Sequence, residues 1–236
     1  LEAGYGDLAD RGSRTRLVDD VLWLLRVHIH PWDVEIDRGR LVDEADPPDL
    51  LGVFLSLYDQ YRDGAGKARW GCKSTFVIHH VDRVRAARPD ARFVWLVRDP
   101  RDVAASSRRA VFSPFHPYLS ARLWREQQEL GLELERRLPG ECLLRIRYED
   151  LLAAPEATVR RLCAFLDEDY LPELLAFHRS DAARTASALS EDWKNTASPV
   201  LSHNSGKYRR HLSADEIRLV ETAAGPVMSA LGYTLD

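Results

Sequence analysis

Cysteine is scarce in this sequence, and its three cysteines show no paired spacing. Cys72, Cys142 and Cys163 lie far apart and are odd in number. This pattern argues against a disulfide framework and against a zinc site, and it fits a reducing compartment better than an oxidising one. One disulfide beside one free thiol is the less favoured alternative. We therefore expect a cytoplasmic protein.

Long apolar runs and an excess of positive charge are also missing. The longest apolar run, residues 21–25, is far too short to span a bilayer, and no signal peptide is recognisable, although the chain does not begin with methionine. The formal net charge of −4 argues against a general nucleic-acid binder, so any polyanionic ligand must be held by local positive charge. With 236 residues and 45% apolar content, the chain is long enough for one α/β domain with its own core.

The centre of the sequence predicts a strand that is followed at once by a helix. Residues 93–97 are all apolar and follow a turn-like segment, which is typical of a short strand buried on both faces. Asp99 is a suitable helix cap, Pro100 suits the first helical turn, and Asp102 stands where its charge favours the positive helix end. Arg98 then lies at the carboxyl end of the strand, where open α/β sheets bind ligands.

Arg98 and Ser106 are candidates for binding a phosphate group. A guanidinium presents a planar fork of donors that matches phosphate oxygens, and a hydroxyl on the following helix adds another donor. More arginines follow closely, at positions 101, 108 and 109. The alternative is that these charges only pair with neighbouring carboxylates at a surface loop.

Helical periodicity and turn signals place the remaining elements. We predict helices at residues 17–27, 50–62, 76–88, 118–138, 156–166, 171–179 and 214–231, and strands at 68–72 and within 141–147. A capping box at residues 213–216 begins the last helix. The stretch 181–199 is polar and rich in serine and alanine, which is typical of a lid or a mobile loop.

A glycine-containing stretch, residues 66–74, superficially resembles a nucleotide-binding loop. It lacks the Gly-Lys-Ser sequence that such a loop requires, because Cys72 separates Gly71 from Lys73. We therefore exclude it as a phosphate loop. His28 and His30 are two residues apart, but no third ligand at a recognisable spacing supports a metal site.

Four segments, taken in order, resemble sulfotransferases that use 3′-phosphoadenosine 5′-phosphosulfate (PAPS). Arg98 and Ser106 match the arginine and serine of the family's 3′-phosphate-binding stretch. Residues 71–75 match the family's Gly-x-Lys-x-Pro, except that a threonine replaces the proline. Residues 147–166, which begin Arg-Tyr-Glu-Asp-Leu-Leu, closely resemble the segment after the second strand. Residues 206–209 resemble a late motif in which a tryptophan usually stands at the position of Tyr208.

This resemblance, over roughly residues 69–233, implies a single domain, 1–236, with an α/β fold of three layers. Helices would flank a mainly parallel central sheet, as in P-loop nucleoside triphosphate hydrolases. It also implies that Arg98 and Ser106 hold the donor's 3′-phosphate and that Lys73 stabilises charge at the sulfuryl group or the bridging oxygen. Four residues would cover the donor from the C-terminal side: Ser205, Gly206, Lys207 and Arg209.

One part of the family's pattern is missing from the sequence. The family's first strand leads into a loop such as Pro-x-Ser-Gly-Thr-Thr, which cradles the 5′-phosphosulfate at a helix start. We find no such loop, so we expect the first strand and loop to be truncated or lost. The family's catalytic base is a glutamate or a histidine, but none of Glu2, His79 and His80 can be assigned to that role. Tyr148 and Glu149 are expected to organise the core.

The sequence thus predicts transfer of a sulfuryl group from PAPS to a hydroxyl or an amine, without a metal. The acceptor is expected to be a small molecule or a carbohydrate, and Trp32, Phe112 and Phe115 are candidates for shaping its site. Two alternatives stay open. A small-molecule kinase would need a Gly-Lys-Ser/Thr loop and a magnesium-binding carboxylate, and a non-catalytic nucleotide-binding or scaffold protein would share only the fold.

Overall fold

The structure, a computed structural model, describes residues 4–28, 32–108, 115–189 and 191–236. The chain divides into two compact units, Leu1–Ala91 and Arg92–Asp236. The assignment of the whole chain to a single domain stays a prediction. Within the described ranges, no helix is both long enough and apolar enough to cross a membrane.

All the regular secondary structure in the described residues of the first unit is helical. It contains α1 (Arg11–Val27), α2 (Arg38–Asp43), α3 (Leu50–Gly64), a 3₁₀ turn (Val77–His79) and α4 (Val81–Ala87). The first three helices each begin after an aspartate whose carboxylate accepts a hydrogen bond from a backbone N–H of the first turn: Asp10, Asp37 and Asp49. Because Asp10 caps α1, this helix begins six residues before the predicted start. The apolar faces enclose a core that includes Leu17, Val18, Leu41, Val42, Val53 and Leu57.

The predicted strand at residues 68–72 is wrong. Trp70 packs on α3 instead, with its ring centroid 4.9 Å from that of Tyr58 and its Nε1 donating to Asp59 at 2.8 Å. This segment has no strand partner in the described part of the chain, and an unpaired extended segment does not form a sheet. The helix predicted at residues 76–88 is divided, because the backbone of His80 is not helical (φ −121°).

The second unit contains the sheet. Strands β1 (Phe93–Val97) and β2 (Leu143–Arg147) pair in parallel, with Phe93 opposite Leu143 and Val97 opposite Arg147. Helices α5 (Pro100–Ser107) and α6 (Pro117–Arg137) lie in the crossover that a parallel pair requires. The elements after β2 are α7 (Tyr148–Ala153), α8 (Pro155–Leu166), a 3₁₀ helix (Pro172–Arg179), α9 (Asp181–Leu189), a second 3₁₀ helix (Glu191–Ala197), α10 (Tyr208–His211) and α11 (Ala214–Ala230). Both strands predicted here are confirmed.

Strand β1 is buried on one face, not on the two faces that its sequence predicts. Trp95 and Val97 are buried, whereas Val94 is 43% and Leu96 is 56% exposed. Successive side chains of a strand point to opposite faces, so the alternation marks one face toward the core. That core includes Trp95, Val97, Ala104, Ala121, Trp124, Tyr208, Val220, Ala224 and Met228. The α/β class is confirmed, while the three-layer arrangement and the wider sheet stay predictions.

The C-terminal part contains more regular structure than its composition predicts. The stretch 181–199, predicted as a loop, forms α9 and a 3₁₀ helix. Ser180 accepts a hydrogen bond from the N–H of Ala183 at 3.1 Å, which satisfies a backbone donor at the start of α9. The predicted capping box is confirmed, since Ser213 and Glu216 each accept a hydrogen bond from the other's backbone N–H.

Candidate functional site

The predicted connection between strand and helix is present, and its backbone is held from two sides. Asp99 caps α5 by accepting a hydrogen bond from the N–H of Arg101 at 2.8 Å. The carbonyl of Arg98 accepts a hydrogen bond from Nε1 of Trp124 at 3.0 Å. The N–H of Asp99 donates to Glu149 at 2.9 Å. The end of β1 is therefore a rigid support for the Arg98 side chain.

The Arg98 side chain is fixed in place but keeps an unused donor. Its guanidinium lies 4.5 Å from the ring centroid of Tyr148, a cation–π contact. Nη2 of Arg98 donates to the carbonyl of Asn204 at 2.9 Å, and the Asn204 amide donates to the Tyr148 hydroxyl at 2.7 Å. The Nε atom is buried and has no hydrogen-bond partner among the described residues.

Ser106 carries a second unpaired polar group. Its Oγ is buried without a partner in the described part of the chain, whereas the neighbouring Ser107 donates to the carbonyl of Ala104 at 2.9 Å. A buried polar group without a partner costs about 1–3 kcal/mol. Two such atoms therefore lie on β1 and α5 together, one just after the strand and one near the end of the helix. Single unpaired nitrogens are also buried at other positions of the described chain: Arg85, Arg125, Arg147 and His178.

The arginines that follow the strand end are engaged in ion pairs within the protein. Arg101 is 3% exposed and donates to Asp99 at 2.8 Å and to Glu221 at 2.7 Å. Burial opposes the charge of Arg101, but the hydrogen bonds and the charge of Asp99 prevail and raise the pKa of its guanidinium. Arg108 forms an ion pair with a glutamate of α11. Arg109 lies outside the described residues, so neither described arginine is a ready phosphate ligand.

The predicted C-terminal motif lies where the chain turns into α10. This turn, residues 204–209, includes the first two residues of the helix and meets the Arg98 side chain through Asn204. Gly206 has φ +68°, in the left-handed region that favours glycine. The N–H groups of Gly206 and Tyr208 both donate to the Asp102 carboxylate, at 2.7 Å and 2.8 Å. The structure therefore joins the two predicted phosphate-binding segments.

The other side chains of this turn differ in their surroundings. Ser205 is exposed and Lys207 is half-buried. Arg209 is exposed and donates to Asp236 at 2.6 Å, and this hydrogen bond raises the pKa of Arg209. Arg209 is thus directed toward the C-terminal aspartate. The roles of these three residues in binding a donor stay predictions.

The predicted catalytic lysine and the described candidate bases are exposed side chains of the first unit. Lys73 lies exposed in the first unit, on the irregular segment between α3 and the 3₁₀ turn. His79 and His80 are exposed as well. Glu2 and His30 lie outside the described residues. The catalytic base therefore stays unassigned.

The structure describes two of the three aromatic residues proposed to shape an acceptor site, one in each unit. Trp32 packs in the first unit, with ring centroids 5.4 Å from Tyr58 and 4.5 Å from Tyr61. Phe115 is 57% exposed in the second unit. Phe112 lies outside the described residues. A role of these aromatics in acceptor binding stays a prediction.

Tyr148 and Asn204 are contacts of Arg98 that the sequence alone did not reveal. As predicted, Glu149 has a structural role, since it also accepts a hydrogen bond from Tyr233 at 2.9 Å. A signal for Tyr148 was available. Because the strands are parallel and Val97 pairs with Arg147, the residues that follow them, Arg98 and Tyr148, lie at the same edge of the sheet.

The fold and this strand-end site agree with a match to known proteins. The sequence model described as "Sulfotransferase family" matches residues 40–172, more than half of the chain, and the chain belongs to this family. The match includes Lys73, Arg98, Ser106 and Tyr148. The turn at residues 204–209 lies beyond it.

Individual relatives are distant. A Caenorhabditis briggsae protein named as a protein-tyrosine sulfotransferase is 26% identical over 170 residues, which cover 68% of this chain and 59% of that protein. Carbohydrate sulfotransferase 3 of Mus musculus is 26% identical over 174 residues, which cover 64% of this chain and 36% of that protein. The chain therefore spans less than two thirds of the length of these relatives.

Two solved structures share the fold. The sulfotransferase domain of the Synechococcus PCC 7002 olefin synthase has a TM-score of 0.58 and 20% identity, over 89% of this chain and 74% of that one. The sulfotransferase domain from the curacin biosynthetic pathway has a TM-score of 0.51 and 22% identity, over 84% and 74%. At these identities, the structures support the fold and not a particular substrate.

Proposed function

We propose that this protein transfers a sulfuryl group from PAPS to a hydroxyl, or an amine, of an acceptor. The observation that carries the proposal is a pair of buried, unpaired polar atoms: Nε of Arg98, which directly follows β1, and Oγ of Ser106, near the end of α5. The spacing of these two residues in the sequence also predicts a phosphate-binding pair. Membership of the sulfotransferase family makes a sulfated nucleotide the ligand to test first.

The residues present fit the 3′-phosphate of such a donor. A guanidinium and a hydroxyl are both donors to phosphate oxygens, and Tyr148 and Asn204 already hold the guanidinium in one orientation. The ligand therefore meets a preorganised site, and less entropy is lost on binding. PAPS, when bound, supplies the sulfuryl group that is transferred.

The remaining roles follow from charge. Lys73 carries the ammonium that we propose for stabilising negative charge as the sulfuryl group leaves the donor. Ser205, Lys207 and Arg209 are proposed to cover the donor from the C-terminal side. Arg209 would first have to exchange its hydrogen bond with Asp236, an exposed ion pair of the kind that contributes little stability.

The acceptor class is proposed from relatives. Their names include a protein-tyrosine sulfotransferase and a carbohydrate sulfotransferase. Both names point to hydroxyl acceptors, a phenol in one case and a sugar hydroxyl in the other. A tyrosine-containing peptide and an oligosaccharide are therefore the first acceptors to assay, and the absence of turnover with any acceptor would favour the non-catalytic alternative.

Calorimetric titration with 3′-phosphoadenosine 5′-phosphate (PAP) tests the donor site. We expect the protein to bind PAP and not ATP, and Arg98→Ala to weaken PAP binding by about 2 kcal/mol, roughly 30-fold. Arg98→Lys keeps the charge but loses the planar fork, so it should restore only part of the affinity. Arg145→Ala is the matched control, because Arg145 contacts Glu135 and Trp95 away from this site.

Two results would count against the proposal. Equal PAP affinity of the wild type and Arg98→Ala would remove Arg98 from the donor site. A folded protein that ignores PAP but binds ATP would favour the kinase alternative. Under single-turnover conditions, Lys73→Ala should slow sulfuryl transfer while PAP affinity changes little, because its proposed role is in the reaction step.

A further inference from the structure

The Asp102 carboxylate makes two contacts that its position in the helix does not require. Asp102 stands in the first turn of α5, where the helix dipole by itself already favours a negative charge. Its side chain nevertheless reaches the turn at residues 204–209. One oxygen accepts a hydrogen bond from the N–H of Gly206 at 2.7 Å, and the other accepts one from the N–H of Tyr208 at 2.8 Å.

The backbone of the turn is shaped to receive this carboxylate. Gly206 is left-handed, with φ +68°, and Lys207 is right-handed, with φ −67° and ψ −20°. Alternating handedness turns successive N–H groups toward one point and creates an anion-binding concavity. Asp102 is 0% exposed, so its carboxylate oxygens bond to these backbone donors instead of to water.

The same turn holds the Arg98 side chain. Asn204 stands two residues before Gly206. Its backbone carbonyl accepts the hydrogen bond from Nη2 of Arg98, and its side-chain amide donates to the Tyr148 hydroxyl. A displacement of the turn would therefore move the group that orients the guanidinium. No hydrogen bond or ion pair joins Asp102 to Arg98 in the described part of the chain, so its influence must pass through the turn.

We infer that Asp102 is a positioning residue for the donor site, because its two hydrogen bonds to the Gly206–Tyr208 backbone hold Asn204 where it orients Arg98. This inference rests on the proposed function and deepens it. It predicts a specific effect on recognition of the 3′-phosphate. A purely structural role of Asp102 would lower stability without that effect.

The test compares PAP with AMP, which lacks the 3′-phosphate, on the full chain. The ratio of the two dissociation constants isolates recognition of the 3′-phosphate. Asp102→Asn replaces one accepting oxygen by a donor that faces an N–H, so one of the two hydrogen bonds is lost. We expect the PAP-to-AMP preference to fall about tenfold, as for the loss of one hydrogen bond to a charged group. AMP affinity should change by less than about twofold on the same reasoning.

A second variant approaches the turn from the other side. Gly206→Ala keeps Asp102 but places an alanine at a left-handed position that it rarely adopts. It should reduce the PAP-to-AMP preference in the same direction. Gln128→Ala is the control for general destabilisation, since it removes the buried hydrogen bond from Trp95 to Gln128 at 2.8 Å. It should lower the melting temperature and leave the preference unchanged.

The outcomes separate the inference from the function on which it rests. If the wild type prefers PAP and both variants retain that preference, the inference is wrong and the proposed function stands. If the wild type shows no preference for PAP over AMP, both fall together. Amide NMR shifts of Gly206 and Tyr208 give a ligand-independent check. In Asp102→Asn, at least one of these resonances should move upfield, and two unchanged shifts would contradict the two hydrogen bonds.

Discussion

Ser106 and Ser107 stand side by side on α5, yet the structure gives them opposite roles. Ser107 is 8% exposed, and its hydroxyl donates back to the carbonyl of Ala104. This is the usual way in which a helical serine satisfies itself. The Ser106 hydroxyl is buried without a partner in the described part of the chain. At the residue scale, the unsatisfied hydroxyl is the one that we propose for the donor's 3′-phosphate.

This contrast predicts that stability and binding respond in opposite ways to two neighbouring alanine substitutions. Ser106→Ala removes an unsatisfied group, so the free energy of unfolding should stay unchanged or rise slightly, while PAP binding weakens by about 1 kcal/mol. Ser107→Ala should lower the free energy of unfolding by about 1 kcal/mol and leave PAP binding intact. Urea denaturation and calorimetry measure the two quantities. The reverse pattern would show that Ser106 is a structural residue.

At the scale of elements, α6 packs against the core face of β1 through Trp95. Trp95 lies on the core face of β1, and Nε1 of Trp95 donates to Gln128 of α6 at 2.8 Å. One turn later, Gly131 leaves room for the indole. A Cβ atom at this position would stand 2.2 Å from an indole carbon of Trp95. Here glycine is needed for close packing rather than for an unusual φ.

We therefore expect Gly131→Ala to destabilise the protein, although alanine is the better helix former. The gain of about 1 kcal/mol in helix propensity is smaller than the 1–3 kcal/mol, roughly, that overpacking costs. Gly140→Ala, just before β2, is the control, because an added methyl group there meets no atom within 4 Å beyond the immediate chain neighbours. Thermal unfolding should show a clear decrease for the first variant and little change for the second. Equal melting temperatures would mean that α6 can move away from β1.

The sequence predicts local elements well where a single local signal determines them. The apolar run of β1, the cap at Asp99 and the capping box at Ser213 each act over a few residues, and each is confirmed. The segment 68–72 has a strand-like composition, but Trp70 binds to α3 through its side chain. That choice depends on a distant partner, which local propensity does not contain.

The candidate site also has a part that the sequence predicts and a part that it does not. Arg98 and Ser106 were recognisable because their spacing on a strand and a helix is local. Their surroundings were not, because Arg98 meets Asn204, and Asp102 meets Gly206, across about a hundred residues of chain. Both contacts are hydrogen bonds to backbone atoms, which leave little trace in side-chain composition. The place of Asp102 in the first turn of a helix was predictable from the helix dipole, whereas its hydrogen bonds to Gly206 and Tyr208 were not.

At the scale of the whole molecule, Asp236 takes part in an ionic network of the second unit whose central arginine is buried. Arg101 of α5 lies 4.3 Å from the ring centroid of Tyr208 and donates to Glu221 of α11. The Tyr208 hydroxyl donates to Asp236 at 3.0 Å. Burial, with smaller contributions from Asp236, raises the pKa of Tyr208 to about 12. Burial and the charge of Glu149 raise the pKa of Tyr233 further above its ordinary value.

Because the pKa values of both tyrosines are raised in the folded protein, we expect it to lose stability in alkali. The pKa of Tyr208 rises from 10.0 to about 12 on folding, so the folded state favours the protonated phenol. The resulting stabilisation, on the order of 2–3 kcal/mol, is fully present below pH 10 and is lost as the pH rises from 10 to 12. Tyr208→Phe should be slightly less stable at neutral pH, since it loses the hydrogen bond to Asp236. Its free energy of unfolding should fall less steeply between pH 10 and 12.

Urea denaturation at several alkaline pH values measures these slopes. Tyr170→Phe is the matched control, because Tyr170 lies outside the network and Arg160 still has a ring to stack on. It should retain the wild-type slope, whereas Tyr233→Phe should flatten the curve at still higher pH. Parallel slopes for Tyr208→Phe and the wild type would mean that the phenol titrates alike in the folded and unfolded chains. In that case the burial of Tyr208 and its hydrogen bond to Asp236 would not favour the protonated phenol.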